Sequence, residues 1–199
     1  MGSFSIDQLV ADLVDARRRS ASHAGAAVRE VVGRTVAEPS AIEAALGDAA
    51  DLPTFSTWHN DDELTVLHVI WPPGVDLFAH DHRMWAAIGL YGGREDNALF
   101  RTLPAGELEL RDTKTLRSGD TVLLGDDTVH AVANPSREWT GAMSVATDGT
   151  SAEAIGAAKP SAAPRTTGAT GNMAARRRAK VRAIRDTPFL AGGLLNDTI

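Results

Sequence analysis

The segment Gly74-Val75-Asp76-Leu77-Phe78-Ala79-His80-Asp81-His82 places two histidines one residue apart. On an extended strand, side chains alternate with period two, so His80 and His82 point to the same side and form a two-toothed metal clamp. A third donor must come from elsewhere, and the stretch from Gly119 to His130, followed by Asn134, offers His130. The chain has no cysteine, which leaves His, Asp, Glu and water as the available ligands. Continuing the alternation past His82 puts Met84, Ala86 and Ile88 on the inward face, while Asp81 and Arg83 turn away. The remaining histidines, His23, His59 and His68, are expected to be packed or solvent-bonded, as isolated histidines usually are. Of these, His59 is the nearest to a pocket role, and its neighbour Trp58 is a candidate for the cavity mouth.

The elements that must hold these residues are set by patterning. With 43% apolar and 23% charged residues over 199 positions, the chain has the composition of one globular core plus appendages. Ile6, Leu9, Val10, Leu13 and Val14 recur at helical spacing behind Ser5, a capping residue. Further helices are expected over 24–36 and 40–46, punctuated by Pro39 and Gly47, so residues 1–50 form a helical segment packed on the barrel. From Asp51 onward the pattern turns to β. Leu64 to Trp71 predicts a strand buried on both faces, and short segments at 78–91, 97–103, 106–111, 114–117, 121–124, 128–133 and 140–147 make about eight strands. The fold class is therefore mainly β, a sandwich or jelly-roll barrel over 51–148. The Ala/Pro/Ser/Thr/Gly-rich run 149–171 predicts a linker, and 172–199 a basic helix with a tail.

Composition also bounds location and partners. A net charge of −6 gives no general reason to expect nucleic acid. No apolar run reaches the length of a membrane span, and the first residues lack the layout of a signal peptide. Lack of cysteine fits a reducing compartment, so the expected location is the cytoplasm.

The two histidine segments resemble the paired motifs of the cupin superfamily. The first is commonly G-x5-H-x-H-x3-E-x6-G, matched by Gly74, His80, His82 and Gly93, with Ala86 where the glutamate stands. The second is commonly G-x5-P-x-G-x2-H-x3-N, matched by Gly119, His130 and Asn134, with Gly125 and Asp127 at the proline and glycine positions. Loss of the glutamate is similar to the three-histidine thiol dioxygenases typified by cysteine dioxygenase. The runs Trp71 to Ala86 and Gly92 to Asn97 look like bacterial relatives described as metal-dependent cupins. The resemblance implies a cupin double-stranded β-helix and an iron(II) site ligated by His80, His82 and His130. Its expected partners are a small-molecule substrate and dioxygen, and its expected assembly is a monomer or homodimer. Nickel, zinc, copper and manganese also suit imidazole ligands, so the iron rests on the resemblance alone.

Three neutral imidazoles leave the charge of a divalent ion uncompensated, which favours an anionic substrate group such as a thiolate. Cysteine is a poor guess for that thiol. Ser144 and Ala146 stand where cysteine dioxygenases carry a tyrosine and a histidine, and no arginine aligns near Thr57-Trp58-His59 to hold a substrate carboxylate. Ser144 is thereby a pocket candidate. The rival readings are a three-histidine dioxygenase cleaving a carbon–carbon bond in a diketone or dihydroxy aromatic, and a binding or sensor cupin without turnover.

Overall fold

The computed structural model of the chain describes residues 3–147. The linker expected over 149–171 and the basic helix expected within 172–199 lie outside the described residues.

Three helices come first: α1 (Ile6–Arg19), α2 (Ala24–Val36) and α3 (Pro39–Leu46). The Ser5 hydroxyl caps α1 by accepting from the Gln8 amide, with Asp7 in the first turn and Arg17, Arg18 and Arg19 in the last. Those charges complement the helix dipole at both ends. Pro39 opens α3, and Gly47 ends it at φ 90°, a backbone conformation that favours glycine. No helix among the described residues is long and apolar enough to cross a membrane.

Nine strands come next: β1 (Phe55–Asn60), β2 (Thr65–Trp71), β3 (Asp76–Asp81), β4 (Ala86–Gly92), β5 (Arg94–Thr102), β6 (Leu108–Arg117), β7 (Thr121–Leu124), β8 (Val129–Ala133) and β9 (Thr140–Ala146). They form two antiparallel sheets, ordered β1-β2-β9-β4-β7 and β3-β8-β5-β6. From β2 onward the chain changes sheet at every connection except the β5–β6 hairpin. Eight strands wound in this way make the jelly-roll barrel, the double-stranded β-helix of the cupin architecture, with β1 added at an edge.

All seven residues of β2 are buried, because both faces of its sheet are covered. Val66 and Ile70 join Leu13, Val28, Val32, Val36 and Ile42 under the helices. Leu67, Val69 and Trp71 face the barrel interior with Ile88, Leu90, Val122 and Val132. A continuous apolar run is what a strand with two covered faces requires. The helical layer lies so close to β4 that Gly89 has no room for a side chain. A β-carbon there would stand 2.4 Å from Val32 Cγ1 and 3.0 Å from Val36 Cγ1.

Two strand expectations differ from the structure, and one strand has no counterpart among the expectations. The segment 78–91 is two strands in opposite sheets, broken at 82–85 where Arg83 takes φ 56°. Parity counted from His80 therefore does not carry through to Met84, Ala86 and Ile88. Segments 106–111 and 114–117 are one strand, β6, whose polar middle sits on an exposed sheet edge rather than in a turn. Finally, β1 escapes patterning because its alternation is interrupted by a register shift between Thr57 and His59.

Helix docking on the sheet predicts a specific steric sensitivity. Gly89→Ala should lower stability by about 1–3 kcal/mol in denaturant melts, through overpacking against Val32 and Val36. An unchanged melt would mean that α2 does not lie against β4.

Candidate metal centre

Strand β3 lies antiparallel to β8, with His80 directly opposite His130. A register shift between Leu77 and His80 marks a bulge. Bulges re-aim side chains, and here both Leu77 and His80 reach the same cavity although residues three apart on a regular strand point to opposite faces. His82 comes one residue beyond the end of β3, immediately before the turn at Arg83. His80, His82 and His130 are buried, and one ring nitrogen of each lies within 4.8 Å of the others. Among the described residues, this is the group of His, Asp or Glu side chains that could hold a metal ion.

Hydrogen bonds on the far side of two rings set their tautomers. His80 Nδ1 is 3.0 Å from the Phe78 carbonyl oxygen, which can only accept, so Nδ1 carries the proton and Nε2 keeps its lone pair. His130 Nδ1 is 2.8 Å from Asn97 Oδ1, and Asn97 Nδ2 in turn donates to Glu95 Oε1 at 2.8 Å. The carboxylate fixes which end of the amide faces His130. His130 therefore also offers an Nε2 lone pair. His82 Nε2 stands 3.0 Å from His130 Nε2, while its Nδ1 is buried without a hydrogen-bond partner.

These observations fit a divalent transition ion. Two nitrogens each about 2.1 Å from one ion, at roughly a right angle, are about 3.0 Å apart. Burial depresses the basicity of all three rings, with His82 lowered to about 4. Their mutual proximity adds to this for His82 and His130. Neutral imidazole is the form that coordinates a metal.

The cavity in front of the cluster measures ≈ 30 Å³. Since one water needs about 10–15 Å³ by this measure, the space admits two waters, or the reactive end of a small molecule. Its wall is mostly apolar, with Val69, Leu77, Ile88, Val132 and Ala142. Two residues named from the sequence, Ile88 and Ser144, are on that wall, together with the three histidines.

The other four named pocket residues are not among the wall residues. Trp58 stacks on His68 at 4.7 Å with the rings nearly parallel, packed against the core beneath the helices. A bulge in β1 and the outward parity of His68 on β2 put that pair on the opposite side of the sheet. His59 Nε2 lies 2.9 Å from the Asp61 carboxylate. Met84 is half-buried in the turn, where strand alternation has lapsed, and Ala86 is buried at the start of β4. Arg83 is exposed and Asp81 half-buried, 3.8 Å apart, and neither is among the wall residues of the cavity.

Glu95, Asn97 and Trp71 are site residues that sequence reading misses. Glu95 is 2% exposed on the cavity wall, and Trp71 Nε1 donates to its Oε2 at 2.8 Å. The available signal is parity. Glu95 and Asn97 are two apart on β5, directly after Gly93, whose φ of 72° starts the crossing from β4. Polar residues at period two on a buried strand point into the barrel. Gly93 cannot be replaced there, since a β-carbon would meet the Trp139 carbonyl oxygen at 2.4 Å.

No family model matches the chain, and no curated protein does. Among solved structures, the barrel is similar to a protein from Bacillus halodurans at 16% identity. That match covers 54% of this chain and 77% of the other, with a TM-score of 0.45. A conserved double-stranded β-helix protein from Klebsiella pneumoniae matches at 16% identity over 55% and 84%, with a TM-score of 0.43. An RmlC-like cupin family protein from Methanocaldococcus jannaschii matches at 14% identity over 50% and 84%, with a TM-score of 0.41. The strand order, not these likenesses, defines the barrel. Fold and cluster together describe a jelly-roll, double-stranded β-helix barrel with a three-histidine site that could bind a metal ion.

Asn97 is the residue that orients His130, and groups holding a ligand from behind typically contribute 10–100-fold to metal affinity. Asn97→Ala should weaken cobalt(II) binding by roughly that factor while leaving the fold intact by circular dichroism. Unchanged affinity would show that His130 needs no such support.

Proposed function

We propose that the chain is an iron(II)-dependent dioxygenase of the three-histidine cupin type, acting on a small thiol that lacks a carboxylate. The observation that carries this reading is the convergence of three buried, neutral imidazoles with no carboxylate in the cluster. Such a site leaves the ion's charge uncompensated and selects an anionic donor from the substrate. A bound ferrous ion would supply open positions for thiolate and dioxygen and a path for electrons from sulfur to oxygen.

The protein's own residues account for the rest. His80, His82 and His130 would hold the ion, and Asn97 and the Phe78 carbonyl keep two of those rings in the required tautomer. Val69, Leu77, Ile88, Val132 and Ala142 give an apolar wall with room for the reactive end of a small substrate. Glu95 disfavours a substrate carboxylate at the same wall, where no lysine or arginine among the described residues stands to bind one. The overall conversion adds both oxygen atoms to sulfur, R–SH + O2 giving R–SO2H. A second reading, cleavage of an enolisable diketone, is supported by the same Glu95, a carboxylate placed where a carbon acid's proton could be taken.

Oxygen consumption by the iron-reconstituted protein tests these readings. Uptake is expected with small uncharged or cationic thiols, at much lower efficiency with cysteine, and sulfinate should form with one O2 consumed per thiol. Uptake with diketones only would select the second reading. Binding of either class without oxygen uptake would identify a non-catalytic cupin.

A further inference from the structure

Among the described residues, Glu95 is the one carboxylate on the cavity wall, and it is nearly inaccessible to solvent. Burying an ionisable group of this kind costs several kcal/mol unless it is compensated. Its compensation is modest. Trp71 Nε1 and Asn97 Nδ2 each donate one hydrogen bond, at 2.8 Å, to separate oxygens. No lysine or arginine pairs with it among the described residues, and Asp96 beside it adds repulsion. Burial raises its proton affinity above that of an ordinary glutamate, with the two hydrogen bonds acting in the opposite sense. A glutamine would offer these two donors a single acceptor oxygen, so the carboxylate holds both Trp71 and Asn97, and it does so with lone pairs to spare.

Its position gives the carboxylate a use. It shares the small cavity with the three histidines but lies outside the group of converging ligand atoms, and each oxygen retains a lone pair beyond its single N–H donor. We propose that Glu95 is the proton acceptor of the cavity, taking the proton from the thiol or enol of a substrate that docks against the three-histidine site. The inference rests on the functional reading above and adds a catalytic residue to it. In the step, the S–H or O–H bond breaks, its electron pair stays on the substrate atom, which becomes an anionic donor, and the proton forms an O–H bond on Glu95. The charge that Ala86 cannot supply at the metal is thus made on the substrate, and its proton remains inside the cavity. Around Glu95, the facing groups are Trp71, Asn97, Asp96 and the imidazoles of His80, His82 and His130.

Proton counting tests this without turnover. Cobalt-loaded protein, anaerobic at pH 7, is titrated calorimetrically with 2-mercaptoethanol and with acetylacetone in two buffers of different ionisation enthalpy. For the wild type, binding should release almost no proton to the buffer, because Glu95 retains it. Glu95→Gln should release one proton for each molecule bound, and the wild-type count stands by itself if that variant fails to fold. A full proton released by the wild type, or equal release by both proteins, would overturn the role of Glu95 while leaving the three-histidine reading intact. No binding of either probe to the cobalt-loaded wild type would overturn the reading of the site as one for acidic X–H groups, and the proposal with it.

Discussion

The constraint on which the structure depends is the burial of three imidazoles that bring one ring nitrogen each to within 4.8 Å of the others. Each ring is a polar group removed from water, and burial is costly wherever a ring nitrogen lacks a partner, as His82 Nδ1 does. For His80 and His130 the outer nitrogen is committed to an oxygen acceptor, a backbone carbonyl in one case and Asn97 in the other. Their inner nitrogens are then left facing each other and His82, with no proton between at least two of them. That arrangement is unfavourable for a packed core and favourable for a cation.

Most of the barrel serves to make this arrangement rigid. His80 and His130 are cross-strand partners in one sheet, so their spacing is set by backbone hydrogen bonds rather than by loops. The bulge before His80 and the sharp turn at Arg83 bring the first two rings onto the third. The opposite sheet closes the cavity with Val69, Ile88, Ala142 and Ser144, and the helices cover that sheet from outside. Arg17 and Arg18 of α1 meet Glu63, joining the helical layer to the turn after β1. A sheet covered on both faces holds its inner side chains more firmly than one open to water.

The clustered histidines and the helices are legible in the sequence because each depends on local spacing: His80 and His82 at period two, Leu9 and Leu13 at period four, Pro39 and Gly47 at an element's ends. The pocket is less legible. Counting alternation from His82 to Ile88 assumes one continuous strand, and a single residue with positive φ, Arg83, ends that assumption. Ile88 still reaches the cavity, but from the opposite sheet. Trp58 falls on the other side of its sheet because a bulge in β1 is not visible as a pattern of residue types. Glu95 escapes for a different reason. The cupin motif directs attention to the position of Ala86 for a carboxylate, whereas folding brings one in from the next strand.

The ligands around the ion are the most direct test of the three-histidine centre. X-ray absorption together with pulsed electron paramagnetic resonance on copper(II)-loaded protein would count imidazole nitrogens and detect any coordinated carboxylate. Three imidazoles, with the remaining positions filled by water, are the result expected from this structure. Two imidazoles, or a Glu95 oxygen bound directly to the metal, would contradict it.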